Sequence, residues 1–169
     1  MDVETAIRTR RTHKQFGAEP VDDAVLRELL ELARHAPNHH LTQPWRFRIL
    51  GPETRRRLED AAGEKEAVKL RRAPTLVLAS AALTGDEHTD GEDLHATAAA
   101  VYAVLLGATA RGLASYWRTP SVLTQPEVRE LLGLAPNERV VSLIHLGPRI
   151  SEPPEKERAA LDEVLTTLP

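Results

Sequence analysis

Ala36-Pro37-Asn38-His39-His40-Leu41-Thr42-Gln43-Pro44-Trp45-Arg46-Phe47 is the stretch on which the reading of this chain turns, because a helix has to end and a strand has to begin on either side of it. Upstream, Val25, Leu26, Leu29, Leu30, Leu32 and Ala33 form a broad apolar stripe at helical spacing, with Asp22 or Asp23 placed to cap its start. Pro37 stops that helix, since the residue before a proline is pushed out of helical geometry. His35 is then expected in the last turn, with His39 and His40 in the loop beyond. Downstream, Trp45, Phe47 and Ile49 alternate with Arg46 and Arg48, the period of a half-buried strand, and Gly51-Pro52 closes it.

Working outward, Asp2 is placed to cap a short helix with Val3, Ala6 and Ile7 on one face, ending near Thr9-Arg10-Arg11-Thr12. Residues 52 to 72 are charged and Ala-rich and read as one or two surface helices, and Thr75 to Ser80 as a buried strand. Thr84 to Asp93 carries two glycines and several acids with almost nothing to bury, so a mobile surface loop is expected there. From Leu94 to Arg111 the chain is apolar on nearly every face, the pattern of a helix buried all round, inside the monomer or in a subunit interface. Leu113 to Trp117 reads as a short strand, Thr124 to Leu132 as a short helix, and Arg139 to Leu146 as an alternating strand before a charged, proline-containing tail. Strands and helices are interspersed without a strict βαβ rhythm, which favours an α+β sandwich over a doubly wound fold.

At 169 residues the chain fits one domain with one sizeable core. Hydrophobic residues at 41% and charged residues at 28% are ordinary for a folded protein, and a formal charge of −3 gives no global attraction to nucleic acid or anionic lipid. Any anion site is therefore local. There are no cysteines, which excludes disulfides, thiolate metal sites and a cysteine nucleophile. No signal-peptide pattern and no run of roughly 20 uninterrupted apolar residues is present, so a soluble cytoplasmic protein is expected.

Arg10, Arg11 and Thr12, with Lys14 behind them, place charge and a hydroxyl at a helix exit, a combination suited to a phosphate dianion. The same run also reads as a solvated basic turn. His35 and His39 stand four apart, as metal ligands on a helix do, but Pro37 intervenes and no acid lies between Arg34 and Phe47, so no metal site is expected. Trp117-Arg118-Thr119 can flank a planar heteroaromatic ligand, or be a buried Trp beside a surface Arg. Lys156-Glu157-Arg158 alone reads as a charged tail. Glycine-rich nucleotide fingerprints and a nucleophile elbow are missing.

Taken together, these segments resemble the nitroreductase family. Arg10-Arg11-Thr12 with Lys14 is similar to that family's Arg-x-Ser-x-Lys/Arg triplet, and residues 36–47 to its Ala-Pro…Gln-Pro-Trp-x-Phe loop. Gly112 to Trp117 is similar to its Gly-Leu-Gly-Ser-x-Trp strand, and residues 154–164 to its Lys-x-Arg…Leu-Asp-Glu-Val tail. The resemblance implies a three-layer sandwich, a central, mostly antiparallel sheet flanked by helices, in a homodimer whose two flavin sites lie across the interface. It implies one domain over residues 1–169, with 148–169 a tail packing on the partner subunit. Flavin mononucleotide (FMN) is the implied cofactor, NAD(P)H the co-substrate, and a nitro compound, quinone or similar small molecule the electron acceptor. Arg10, Arg11, Thr12, Lys14, His35, His39, Trp117, Arg118, Thr119 and Arg158 are the implied flavin contacts, and no side chain is implied as a classical acid or base. Leu41 stands where many members carry an Asn that reaches the flavin's polar edge, leaving His39 or Thr42 to supply that bond. Ala159-Ala160 replaces a Lys-Pro pair, so a helix from Glu155 to Leu165 is expected in the tail. The rival reading is a non-catalytic dimeric flavin- or ligand-binding protein of the same fold.

Overall fold

Two aspartates start the first two helices in this computed structural model, which describes residues 1–169. Asp2 accepts from the Thr5 amide at 2.9 Å to cap α1 (Val3–Thr9), and Asp22 accepts from the Ala24 amide at 2.8 Å to cap α2 (Asp23–Ala33). Each cap is worth about 1 kcal/mol. α2 ends at Ala33, earlier than its sequence suggests. The amides of Arg34, His35 and Ala36 bond back to the carbonyls of Glu31, Leu32 and Ala33, a 3₁₀-type tightening that leaves His35 just beyond the helix and not in its last turn.

The sheet is built from β1 (Trp45–Ile49), β2 (Thr75–Ala82), β3 (Leu113–Arg118) and β4 (Glu138–Pro148), in the order β1-β2-β4-β3 with every pair antiparallel. β2 is central and buried on both faces, which explains the apolar run from Leu76 to Ala79. Side-chain alternation splits the core in two. On one face Val77, Ala79, Ile144 and Leu146 pack against α2 and the long helix α5 (Glu87–Ala110). On the other, Leu76, Leu78 and Leu143 pack against α3 (Pro52–Ala62), α4 (Glu64–Leu70) and α6 (Pro126–Leu131). This is the expected α+β arrangement, an antiparallel sheet between two helical layers. Gly107 lets α5 approach α2 closely, since a Cβ there meets Leu32 Cδ1 at 2.7 Å and Leu29 Cδ2 at 2.9 Å.

Two sequence expectations are corrected. The loop expected over Thr84 to Asp93 is mostly helix, because α5 starts at Glu87. Asp86 accepts from the Thr89 amide at 2.9 Å, and Asp90 accepts from the amides of Thr84 and Gly85. The acids that looked like loop composition are the first turn of a helix, where negative charge meets the positive end of the dipole. The tail forms no helix from Glu155 to Leu165; it is extended, with a single 3₁₀ turn at Leu161–Glu163. An 11-residue helix with nothing packed on it is too short to persist in water.

The most apolar window of α5 is long and apolar enough to cross a membrane, yet 56% of it is buried inside the chain. Its inner face is core. His95, Tyr102 and Ala110 are exposed along its outer face, with Ala98, Ala99 and Leu106 half-buried beside them. Val3 and Ile7 of α1, which packs on α5, are exposed as well.

Candidate functional site

The chain leaving α1 is fixed along the edge of the sheet. The amide of His13 donates to the Ser115 carbonyl of β3 at 3.0 Å, and the Gly17 amide to the Pro148 carbonyl of β4 at 2.9 Å. His13 is buried, and burial is the main reason its pKa lies below the usual histidine value. With the backbone so held, Arg10, Arg11, Thr12 and Lys14 face the segment from Ser151 to Arg158 across a cleft of about 740 Å³.

The cations of this cleft differ in what they are doing. Arg11 donates to the Arg8 carbonyl at 2.5 Å, at the end of α1, and pairs with Glu155 at 3.1 Å, so it ties the helix to the tail. Arg10, Lys14, Lys156 and Arg158 form no ion pair within the chain, and Glu152 is the only acid lining the cleft. Four unpaired cations with the Thr12 hydroxyl make a surface that fits a phosphate dianion. Of the residues expected from sequence, Arg10, Arg11, Thr12, Lys14 and Arg158 therefore come together.

The others lie elsewhere in the single chain. His35 is exposed, 3.9 Å from Glu31. His39 stacks on His40 and donates from Nδ1 to Glu92 at 2.7 Å, a bond that lowers the Glu92 pKa. Trp117 is packed against the α2/α5 core and donates from its indole to the Val141 carbonyl at 3.1 Å. Val141 is the residue skipped where the β2–β4 register shifts between Ala79 and Ser80. Thr119 is exposed beyond β3.

The loop that opened the sequence reading is the most unusual backbone in the molecule. His40, Leu41 and Gln43 all sit in the left-handed region, at φ 50°, 53° and 45°. Such geometry costs on the order of 1 kcal/mol for each residue with a side chain, so it persists only where the surroundings enforce it. Asn38 donates to the Ala36 carbonyl and accepts from the Gln43 amide, and the Pro44 carbonyl accepts from the Ala82 amide at 2.8 Å. Thr42 donates to the buried carboxylate of Asp93 at 2.5 Å. Thr42 and His39, the two candidates for the bond lost at Leu41, thus already have carboxylate partners on α5.

On the α4 side of the sheet, sequence reasoning missed a second polar cavity of about 260 Å³, lined by Lys14, Phe16, Lys69, Arg72, Tyr116, Arg118 and His145. Arg118 and Lys69 both pair with Glu66 of α4, and the Arg118 guanidinium lies 5.8 Å from the Tyr116 ring. His145 is 1% exposed and held neutral. Burial first, then the charges of Arg118 and Arg55, bring its pKa down to about 3. Lys14 and Arg118 were visible in the sequence as isolated candidates; for the rest, the one signal was His145 within the apolar run from Leu143 to Leu146.

Comparison with known proteins gives one answer. The family model described as the nitroreductase family matches residues 7–72 and 64–148. A Bacillus subtilis relative, YfhC, which bears a provisional NAD(P)H nitroreductase name, is 30% identical over 96% of this chain and 92% of its own. Among solved structures, a nitroreductase-like family protein from Bacillus cereus superposes with a TM-score of 0.90 at 26% identity, covering 99% of this chain and 96% of that one. A Desulfovibrio desulfuricans protein, provisionally described as a nitroreductase and solved in complex with FMN, gives 0.82 at 27% identity over the same shares. The family model, the relative at 30% identity and the shared fold with its four-stranded antiparallel sheet lead to one conclusion: the chain belongs to the nitroreductase family.

Proposed function

We propose that this protein is an FMN-dependent oxidoreductase that uses NAD(P)H and works in the cytoplasm. The observation that carries the reading is the cleft between residues 10–14 and 151–158, where Arg10, Lys14, Lys156 and Arg158 stand without partners around the Thr12 hydroxyl. Unpaired charge so arranged is poised to bind a phosphate. When bound there, the flavin supplies hydride chemistry that the protein's own side chains lack, taking a hydride from NAD(P)H and passing electrons to a nitro compound, quinone or similar acceptor. Arg10, Lys156 and Arg158 would hold the phosphate, Thr12 would donate its hydroxyl, and Lys14, on the same cleft, would offer its ammonium to the electron-rich edge of the ring. The co-substrate and the acceptor use one slot in turn, which gives ping-pong kinetics.

The active unit is a homodimer of one domain per chain. Tyr102 and Ala110 on the outer face of α5, Val3 and Ile7, and Leu161, Val164, Leu165 and Leu168 of the tail are exposed and largely apolar. A surface of this kind marks an interaction site. The tail from residue 148 packs on the partner, and His35 and His39 contact the flavin bound by the other subunit.

The test is the visible absorption spectrum of the purified protein after adding FMN and desalting, followed by NAD(P)H and then an acceptor. Retained flavin bands that bleach with NAD(P)H and return with acceptor are expected. Flavin that binds but never bleaches would identify a binding protein, and a colourless protein would remove the cofactor from the reading. Arg10→Ala is expected to weaken FMN binding by about 10- to 100-fold, the worth of one charge-assisted hydrogen bond, with the circular dichroism spectrum unchanged.

A further inference from the structure

The strained loop before β1 meets α5 through two neighbouring acids of that helix. Glu92 accepts from Nδ1 of His39 at 2.7 Å, and Asp93 accepts from the Thr42 hydroxyl at 2.5 Å. His39 is further held by the ring of His40, stacked on it with centroids 3.9 Å apart, and by Arg46, which donates to the Gln43 carbonyl at 3.0 Å and closes the loop behind it. Its second ring nitrogen, Nε2, has no partner within the chain. Asn38 is engaged with Ala36 and Gln43, and Leu41 has no polar side-chain atom to offer. One ring nitrogen is thus fixed in place and left open, on a side chain that is 55% exposed.

What Nε2 can do is decided at Nδ1. Glu92 is held ionised. The bond from His39 is the main cause of its lowered pKa, and two further histidines act in the same direction against the effect of burial: His40, and His88, whose Nε2 lies 3.6 Å from the other carboxylate oxygen. An ionised carboxylate only accepts hydrogen bonds, so Nδ1 carries the proton, and in the neutral ring Nε2 is then a bare acceptor. The phosphate cleft is poor in that function. Arg10, Arg11, Lys14, Lys156 and Arg158 are all donors, and the one acid lining it, Glu152, pairs with Arg149 at 3.1 Å. An oxidised flavin ring has a single N–H, the imide group between its two carbonyls, and covering that donor without an acceptor is costly.

We propose that Glu92 is a positioning residue that fixes His39 as the tautomer with a bare Nε2, and that this nitrogen accepts from the imide N–H of FMN bound by the other subunit. The inference rests on the FMN reading above and adds to it a residue that acts through His39. Holding the imidazole before the ligand arrives removes the cost of ordering it on binding.

Long-range proton–nitrogen NMR spectra of the flavin-free protein at about pH 8, above the usual histidine value, report which nitrogen of His39 carries the proton, the signal being assigned by its loss in His39→Leu. Wild type is expected to show Nδ1 protonated and Nε2 bare. Glu92→Gln, whose amide can either accept or donate, keeps a hydrogen bond and is expected to show a mixture of both tautomers with an unchanged thermal midpoint. Fluorescence titration then compares FMN with 3-methyl-FMN, in which a methyl group replaces the imide hydrogen. Wild type is expected to prefer FMN by roughly tenfold, Glu92→Gln to show a weaker preference, and His39→Leu to lose it. A wild-type ring protonated on Nε2, a tautomer unchanged in Glu92→Gln, or the same preference for FMN in all three proteins would overturn the proposal. A protein that binds neither flavin would remove the FMN reading and the acceptor role with it, while the ring spectrum still decides whether Glu92 sets the tautomer of His39.

Discussion

Replacing Glu138 by Gln should cost stability in a pH-dependent way, and the structure gives the size of the effect. Glu138 opens β4 and is nearly buried. It accepts two hydrogen bonds from Arg48 of β1 at 2.8 Å, one from Ser80 of β2 at 2.5 Å and one from the Ala135 amide at 3.3 Å. One carboxylate thus clamps three strands. Burial alone raises its pKa, but the bonds from Arg48, Ser80 and Ala135 outweigh burial and bring it from 4.5 to about 2. A carboxylate whose folded pKa is depressed stabilises the fold above its unfolded pKa and loses that contribution as pH falls through the folded one. The interval corresponds to roughly 3 kcal/mol at pH 7, shrinking to about 1 kcal/mol at pH 3. Urea unfolding followed by circular dichroism, wild type against Glu138→Gln, should show that narrowing. Arg48→Met should cost at least as much as Glu138→Gln at pH 7, because it leaves the carboxylate buried without its cation. A difference between wild type and Glu138→Gln that is the same at both pH values, or below about 0.5 kcal/mol at pH 7, would refute the reasoning.

Three further outcomes follow from particular residues. His145 is a base with a folded pKa of about 3, so the unfolded chain gains a proton below pH 6.5 that the native state refuses; stability should fall by about 2 kcal/mol between pH 6.5 and pH 5, and His145→Leu should remove most of that slope in urea titrations at the two pH values. Leu41 is 74% exposed at a left-handed φ of 53°, so Leu41→Asn should raise stability by about 0.5–1 kcal/mol, read as a higher thermal midpoint, and should tighten FMN by restoring a polar group; a lower midpoint would count against the strain argument. If two chains build each flavin site, FMN should be lost on dilution at the same protein concentration at which sedimentation shows dimers dissociating, and retention by isolated monomers would separate the two readings.

How much of this could be read from the chain depends on whether the deciding interaction was local. The caps at Asp2 and Asp22, the stripe of α2 and the strand of β1 are local, and the structure repeats them except at Leu32 and Ile49, which are exposed, and at Arg48, which is half-buried. The start of α5 was misread because glycine and acids suggest a loop until Asp86 and Asp90 are seen bonding to the backbone of residues 84–89. The tail was misread because alanines favour a helix only when one face has something to pack against. The triplet Arg10-Arg11-Thr12 was visible, but not that Arg11 serves α1 and Glu155 while Arg10 stands free. The cavity around His145 lay out of reach, since it joins residues from positions 14, 69, 72, 118 and 145, and pattern reading does not register positions so far apart.

The placement of the histidines connects the site to the assembly. His35 and His39 line neither the phosphate cleft nor the second cavity, and within one chain their partners are Glu31 and Glu92. The loop that carries His39 is nevertheless held in three left-handed residues and anchored to α5 by Thr42 and Asp93. Strain that a fold does not need for its own core is kept where it positions groups for something else, and the core is complete without the side chain of Leu41. The same helix leaves Tyr102 exposed and Leu106 only half-covered by its own chain. In the proposed dimer, a second copy set against α5 would cover that stripe and receive the loop in one step. On this reading the strained loop and the bare helix face have a common cause, a cofactor site assembled from two chains.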